Sequence, residues 1–321
     1  MDTHWYSSIH GDLEKVESIM NETVQSENPK LTEVCRYVLN SNGKRIRPAI
    51  CILAFKACGG KDTSGAIKIG TALEIIHNAT LVHDDINDQG ELRRGAKAAY
   101  KQFSISRSII AGDFLFVMGF QFVHSVSLEI VDYIIEAAKL MSAGEFDQKD
   151  FEHNTAASEE VYMKIIEGKT ARLIESGAKA GALLADAKIE TIDRVGEFAH
   201  NIGMAFQIID DTLDIIGDEK VTGKRTGSDI MEGKPTLPII FAMEDPKYGS
   251  RIKQIFEMEV PEWSDIAEAV DLIKKTDSIP RCKEKAKGIV NHAKVFLNDL
   301  DESEYKTALI EMADYIVSRD R

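Results

Sequence analysis

The sequence predicts an all-α protein, a single large helical bundle over residues 1–321, and three observations predict it. After Pro48 no proline occurs until Pro235. A proline inside a helix costs about 3 kcal/mol, so the stretch between suits a succession of helices. Apolar residues recur at helical spacing: Ile9, Leu13, Val16 and Met20 share one face, and Leu31, Val34, Cys35 and Val38 share another. Alternating strand patterns are nearly absent.

Each element follows from local signals. Residues 41–47 (SNGKRIR) read as a loop, and Pro48 suits the first turn of the next helix. Gly59 and Gly60 end that helix, and Asp62, Thr63 or Ser64 can cap the following one. That helix runs from about 65 to 88, and a loop over 89–95 follows. Further helices are expected over 106–125, 127–150, 158–185 and 189–216. A glycine- and charge-rich loop covers 217–234. Shorter helices fill the rest, punctuated by Pro246, Pro261 and Pro280. No linker or low-complexity segment interrupts the chain, so one domain is expected.

The composition, 44% hydrophobic and 29% charged, supplies a sizeable core. The net charge of −14 argues against a nucleic-acid partner bound through a basic face. It also suits a handler of diphosphates poorly, unless divalent metal supplies the missing positive charge. Cys35, Cys51, Cys58 and Cys282 form no CxxC pair and read as buried free thiols of a reducing compartment. The N-terminal MDTHWYSSIHGD lacks the basic and apolar runs of a signal peptide. No apolar stretch approaches the roughly 20 residues of a membrane span. A soluble, cytoplasmic protein is expected.

Two segments carry the chemistry. LVHDDIND holds Asp84, Asp85 and Asp88, and FQIIDDTLD holds Asp210, Asp211 and Asp214. Both read DDxxD and both end an apolar helix. The first and last aspartates, four apart, share a face, and the middle one lies about 100° round. Like charges at this spacing destabilise a helix modestly, so a sequence that keeps the pattern twice suggests a cation between the carboxylates. One copy alone is equally well read as a solvated acidic helix end; the second copy favours metal. Hard oxygen donors without a cysteine cluster suit magnesium or manganese rather than zinc.

Four basic groups stand beside glycine or proline. They are Lys44, Arg45 and Arg47 in GKRIRP, Arg93 and Arg94 in LRRG, Lys169 in EGKTARL, and Lys224 with Lys234 in GKRTGSD and EGKPTLP. Singly each is read as solvated surface charge; four in an acidic chain, two of them directly after an aspartate motif, favour a diphosphate site. His77 lies two helical turns before Asp84 and, by itself, reads as a core histidine. His83 makes an HD dipeptide with Asp84, a feature of some phosphohydrolases, but His124, His153 and His200 add no supporting pattern.

GKRIRP, LVHDDINDQGELRRG, GDFLF, GKTA, FQIIDDTLD and GKRTGSDIMEGKPTLP occur in the order seen in trans-isoprenyl diphosphate synthases, the polyprenyl synthetase family. The chain resembles that family from about Leu39 to Leu237. The resemblance implies an isoprenoid-synthase bundle with a central active-site cavity, and condensation of isopentenyl diphosphate with an allylic diphosphate. Lys44, Arg47, His77 and Arg94 match residues that bind isopentenyl diphosphate. Asp84, Asp88 and Asp210 match magnesium ligands, for about three Mg2+ per site, with Mn2+ as a substitute. Asp85, Asp211 and Asp214 match residues that hold metal-bound waters or shape the site. Arg93, Lys169, Lys224 and Lys234 match residues gripping the allylic diphosphate. Thr170 and Gln207 match polar groups beside the reacting carbons. The family also implies a homodimer.

Two other readings compete. A class I terpene cyclase ordinarily lacks the second DDxxD and the GKRIRP site, and an inactive helical regulatory subunit ordinarily loses aspartates or basic residues; both sets are intact here. Product length is expected to follow from Ala79 and Thr80, five and four positions before Asp84, where related short-chain enzymes commonly carry an aromatic residue. Small side chains here imply an open floor and products of twenty carbons or longer. Phe114, Leu115 and Met118 are candidates for the next wall.

Overall fold

Among the described residues the proline-free stretch is dominated by helices, as its composition favours. In the computed structural model, which describes residues 4–40, 43–217 and 225–319, the ordered elements are almost all helices. The chain divides into two compact units. One comprises Met1–Glu136, Leu173–Glu197 and Leu297–Met312; the other comprises Ala137–Arg172, Phe198–Phe296 and Ala313–Arg321.

In the first unit the helices are α1 (His10–Thr23), α2 (Pro29–Leu39), α3 (Ile46–Ala57), α4 (Ser64–Asn87), α5 (Ala99–Gln102) and α6 (Ile105–His124). Local signals set their starts. The Asn28 side chain accepts from the Lys30 and Leu31 amides ahead of α2, with Pro29 in the first turn. Before α4 it is Asp62 that accepts the Ser64 amide, at 3.0 Å, and Thr63 makes no side-chain cap. The loop expected over 41–47 is shorter, because α3 already begins at Ile46.

Helix α4 is buried nearly all round and packs along α6. Glycines permit the approach: a Cβ on Gly119 would sit 2.5 Å from Ile76, and one on Gly112 would sit 2.3 Å from His83. Val34, Cys35, Leu39, Ile75, Ala79 and Leu115 belong to the same buried cluster. Burying each large aliphatic side chain contributes about 1.5–3 kcal/mol. Helix α6 also corrects an expectation. It is long and apolar enough, by length and composition alone, to cross a membrane, and only 28% of that stretch is buried. Ile105, Ile109, Ile110 and Val117 stay exposed on it.

The second unit takes residues from α7 (Leu128–Asp150), α8 (Glu159–Ile166), α10 (Ile189–Ile216), α11 (Ser228–Met231), α12 (Leu237–Met243), α13 (Gly249–Phe256), α14 (Trp263–Ile273), α15 (Ser278–Lys294) and α16 (Glu304–Ser318); α9 (Arg172–Leu184) lies almost wholly in the first. Helix α12 is buried along its whole length and packs on α13, α14 and α15. The helix expected over 158–185 is interrupted. Glu167–Ala171 form a π-helical turn between α8 and α9. Such wide turns are rare and concentrate at functional sites.

The four cysteines are free thiols, and Cys35, Cys51 and Cys282 are buried.

Candidate active site

In the first unit the end of α4 sorts its aspartates by exposure. Asp85 points into the protein and is 4% exposed, whereas Asp84 and Asp88 are partly exposed. Arg93 donates to Asp85 Oδ1 through Nε at 2.8 Å and again through Nη2. A two-stranded hairpin, Leu92–Arg93 with Ala96–Lys97, delivers that arginine. Its turn holds Arg94 at φ 52° and Gly95 at φ 81°; the second value favours glycine, which has no Cβ to clash. A cavity of about 450 Å³ opens beside the pair, lined by Val38, Asn78, Val82, Asp85, Arg93 and Arg94 among others.

The GKRIRP segment is sorted in the same way. Lys44 is exposed and Arg47 partly so, but Arg45 is buried. Its left-handed backbone, φ 50°, accompanies a side chain turned inward onto Glu74 at 2.7 Å and onto Glu17. Arg45 is therefore a brace for the loop and not a free phosphate ligand. Gly43 has a reason too: a Cβ there would lie 2.9 Å from Arg94 Nη1. His77 faces this cationic group. Burial, and after it the charges of Arg47, Arg94, Arg93 and Arg45, hold its pKa well below the usual histidine range. A neutral imidazole amid four guanidiniums is a setting that favours a bound anion. Thr80 is tied back by its hydroxyl, which donates to the His77 carbonyl at 2.8 Å, and Ala79 is fully buried among apolar neighbours.

In the second unit α10 presents Gln207, Asp210, Asp211 and Asp214. Asp211 is 7% exposed, and both its oxygens are taken. Tyr162 donates to Oδ2 at 2.7 Å and Gln207 Nε2 to Oδ1 at 2.7 Å. Gln207 in turn accepts from the Thr170 hydroxyl at 2.8 Å. Burial is the main force pushing Asp211 up to about 7; Asp210 and Asp214 add to it, against the two hydrogen bonds. Asp214 organises the following loop by accepting from Ser228 Oγ at 2.5 Å and the Asp229 amide at 3.2 Å. Asp210 accepts from Arg319 Nη1 at 2.7 Å.

The π-helical turn sets Lys169 and Thr170. A Cβ on Gly168 would lie 2.6 Å from the Leu140 carbonyl, so only glycine lets this turn reach α7. Lys169 is held by Glu145 and, at 2.9 Å, by Gln148 Oε1. Lys234 Nζ lies 2.7 Å from Glu232. Lys224 lies outside the described residues.

Sequence reasoning missed Arg45 as a brace, and it missed Tyr162, Glu145, Gln148, Ser228 and Arg319 altogether. Arg45 and Ser228 lie inside motifs that do not reveal their partners, the others sit in none, and Arg319 reaches Asp210 across 109 positions of sequence.

These donor sets fit magnesium. Among the described residues no three His, Cys, Asp or Glu side chains gather into an all-protein cage. Magnesium is ordinarily held by one or two carboxylates, waters and substrate phosphates. Arg319 stands on Asp210 as a cation would, and the charges of Asp210 and Asp214, which add to burial in raising Asp211, are what a cation would relieve.

The family model described as Polyprenyl synthetase matches residues 28–273. This chain belongs to the polyprenyl synthetase family, whose members are trans-prenyltransferases. An all-trans-nonaprenyl-diphosphate synthase (geranyl-diphosphate specific) of Rhodobacter capsulatus is 33% identical over 96% of this chain and 95% of its own length. A geranylgeranyl diphosphate synthase of Methanosarcina mazei is 33% identical over 95% of each. Among solved structures, a polyprenyl synthase from Caulobacter crescentus, complexed with calcium and isoprenyl diphosphate, superposes with a TM-score of 0.94. It is 29% identical, covering 99% of this chain and 97% of that one. The fold is thus that of an isoprenoid synthase, and the activity is that of a trans-prenyl diphosphate synthase.

Proposed function

We propose that this chain condenses isopentenyl diphosphate head-to-tail with an allylic diphosphate, and that its product has twenty carbons or more. The observation that carries the reading is a division of labour repeated in both aspartate motifs. The middle aspartate is buried and tied down, Asp85 by Arg93 and Asp211 by Tyr162 and Gln207, while Asp84, Asp88 and Asp210 keep partly exposed carboxylates.

In this reading Asp84, Asp88 and Asp210 hold magnesium, about three ions, with manganese as a substitute. The metal supplies positive charge to the departing diphosphate. Arg93, Lys169, Lys234 and Lys224 grip that diphosphate as the allylic carbon–oxygen bond breaks and the bonding pair leaves with oxygen. Their charges stabilise the negative charge that develops. Lys44, Arg47, neutral His77 and Arg94 hold the second diphosphate while its double bond attacks the allylic cation. Thr170 and Gln207, fixed by their mutual hydrogen bond, stand beside the reacting carbons. A proton then leaves the new chain, and the released diphosphate is a competent base.

The whole chain acts as one catalytic domain in this proposal, since the family match at 28–273 runs through both units. It works as a homodimer, for which the exposed Ile109, Ile110, Val117 and Leu128 supply apolar surface. Free thiols suit a reducing, cytoplasmic setting.

The test is incubation with labelled isopentenyl diphosphate and allylic primers of increasing length, followed by sizing of the products. Chain growth that depends on both substrates supports the proposal. Cyclic hydrocarbon formed from the primer alone would make it a cyclase instead.

A further inference from the structure

His153 belongs to no motif, yet it is built into the Lys234 loop. It stands just beyond α7 in a left-handed conformation, φ 56°. Its amide donates to the Gly233 carbonyl at 2.8 Å. Its ring Nδ1 lies 3.0 Å from the Phe256 carbonyl oxygen. A carbonyl only accepts, so Nδ1 carries the hydrogen. The other edge of the ring covers Gly233, where a Cβ would lie 2.4 Å from Nε2; Gly233 itself is left-handed, φ 67°. Backbone and ring thus hold the same glycine, and Phe256 fixes the ring.

Lys234 comes next in sequence. Its amide donates to the Asp229 carbonyl at 2.8 Å, and its side chain is 12% exposed. The segment over 227–234, which carries the short helix α11, therefore has two anchors. Asp214, from the second aspartate motif, holds Ser228 and the Asp229 amide at the start. His153, from outside every motif, holds Gly233 at the end.

We propose that His153 is a positioning residue for Lys234: by clamping Gly233 it fixes the loop end from which the Lys234 ammonium meets the allylic diphosphate. This rests on the reading of Lys234 as a ligand of that diphosphate. His153 touches no substrate. It acts on where a charge stands, and misplacing a positioning group by about 1 Å can cost on the order of 10²-fold in rate.

The test compares wild type with His153→Ala, His153→Asn, Lys234→Ala and the His153→Ala/Lys234→Ala double variant. Each is assayed for kcat and for KM with geranyl and isopentenyl diphosphates. Hydrogen exchange of the 229–234 amides is followed alongside. Asparagine tolerates left-handed backbone, and its amide nitrogen replaces the Nδ1 donor.

His153→Ala is expected to raise the geranyl diphosphate KM about tenfold or more, to spare the isopentenyl diphosphate KM, and to speed exchange at Gly233 and Lys234. His153→Asn restores most of both. The double variant is no worse than Lys234→Ala, because residues acting as a unit are not additive. Losses that multiply in the double variant overturn the proposal, as does unchanged exchange in His153→Ala. A Lys234→Ala enzyme with a normal geranyl diphosphate KM overturns the diphosphate reading itself; exchange then still decides whether His153 seats the loop.

Discussion

The two aspartate motifs have the same letters and different supports. Asp85 is braced by a charge, the Arg93 guanidinium, delivered by a hairpin eight residues away. Asp211 is braced by neutral donors, Tyr162 and Gln207, and burial pushes it up to about 7. A buried carboxylate with a guanidinium partner has its countercharge built into the fold. One with neutral donors depends on whatever cation its neighbours hold. The first motif is thus set before metal arrives, while the second has Arg319 standing on Asp210. The difference teaches that the shared letters DDxxD do not fix a carboxylate's role: Asp85, Asp211 and Asp214 are each defined by what the fold puts against them.

The largest expected effect ignores this difference. Asp84→Ala and Asp210→Ala each lower turnover about 10²–10³-fold, since each removes a principal electrostatic support, with circular dichroism unchanged. Near-normal turnover in both would reduce both motifs to solvated helix ends. Arg93→Gln sharpens the contrast. It strands the buried Asp85 carboxylate and lowers unfolding free energy by about 1–3 kcal/mol, read from the urea midpoint. Tyr162→Phe leaves Asp211 its Gln207 partner and costs about 1 kcal/mol on the same measurement. Equal costs would erase the distinction between charged and neutral bracing. Ala79→Phe overpacks a buried cluster at a cost of about 1–3 kcal/mol, spares turnover most and changes the product. An aromatic ring in that buried cluster shortens the prenyl chain, as chromatography of the products will show. Unchanged length at normal activity would remove Ala79 from the channel.

The helices were legible because proline spacing and apolar periodicity are local. So were the DDxxD and GKRIRP patterns, whereas the separate roles of Asp84, Lys44 and Arg47 come from the family resemblance. Arg45 was misread because one residue of register decides whether a basic side chain faces solvent or Glu74, and its left-handed backbone leaves no mark in the sequence. The π-helical turn at Glu167–Ala171 was illegible because helical periodicity spans it without a gap. Tyr162 and Arg319 meet their aspartates across 49 and 109 positions, beyond any spacing rule. The membrane-length apolarity of α6 is hidden in the sequence because Arg107 and Asp113 interrupt the apolar run and still leave the average apolar.

The central claim is that Asp84, Asp88 and Asp210 hold metal while Asp85 and Asp211 brace. Calorimetric titration of Mg2+ in the presence of inorganic pyrophosphate tests it most directly, using wild type, Asp210→Asn and Asp211→Asn. Asp210→Asn is predicted to weaken the titration by at least about tenfold, and Asp211→Asn to stay within about threefold of wild type, because an amide there still meets Tyr162 and Gln207. Equal weakening in the two variants, or a larger loss in Asp211→Asn, would contradict the account.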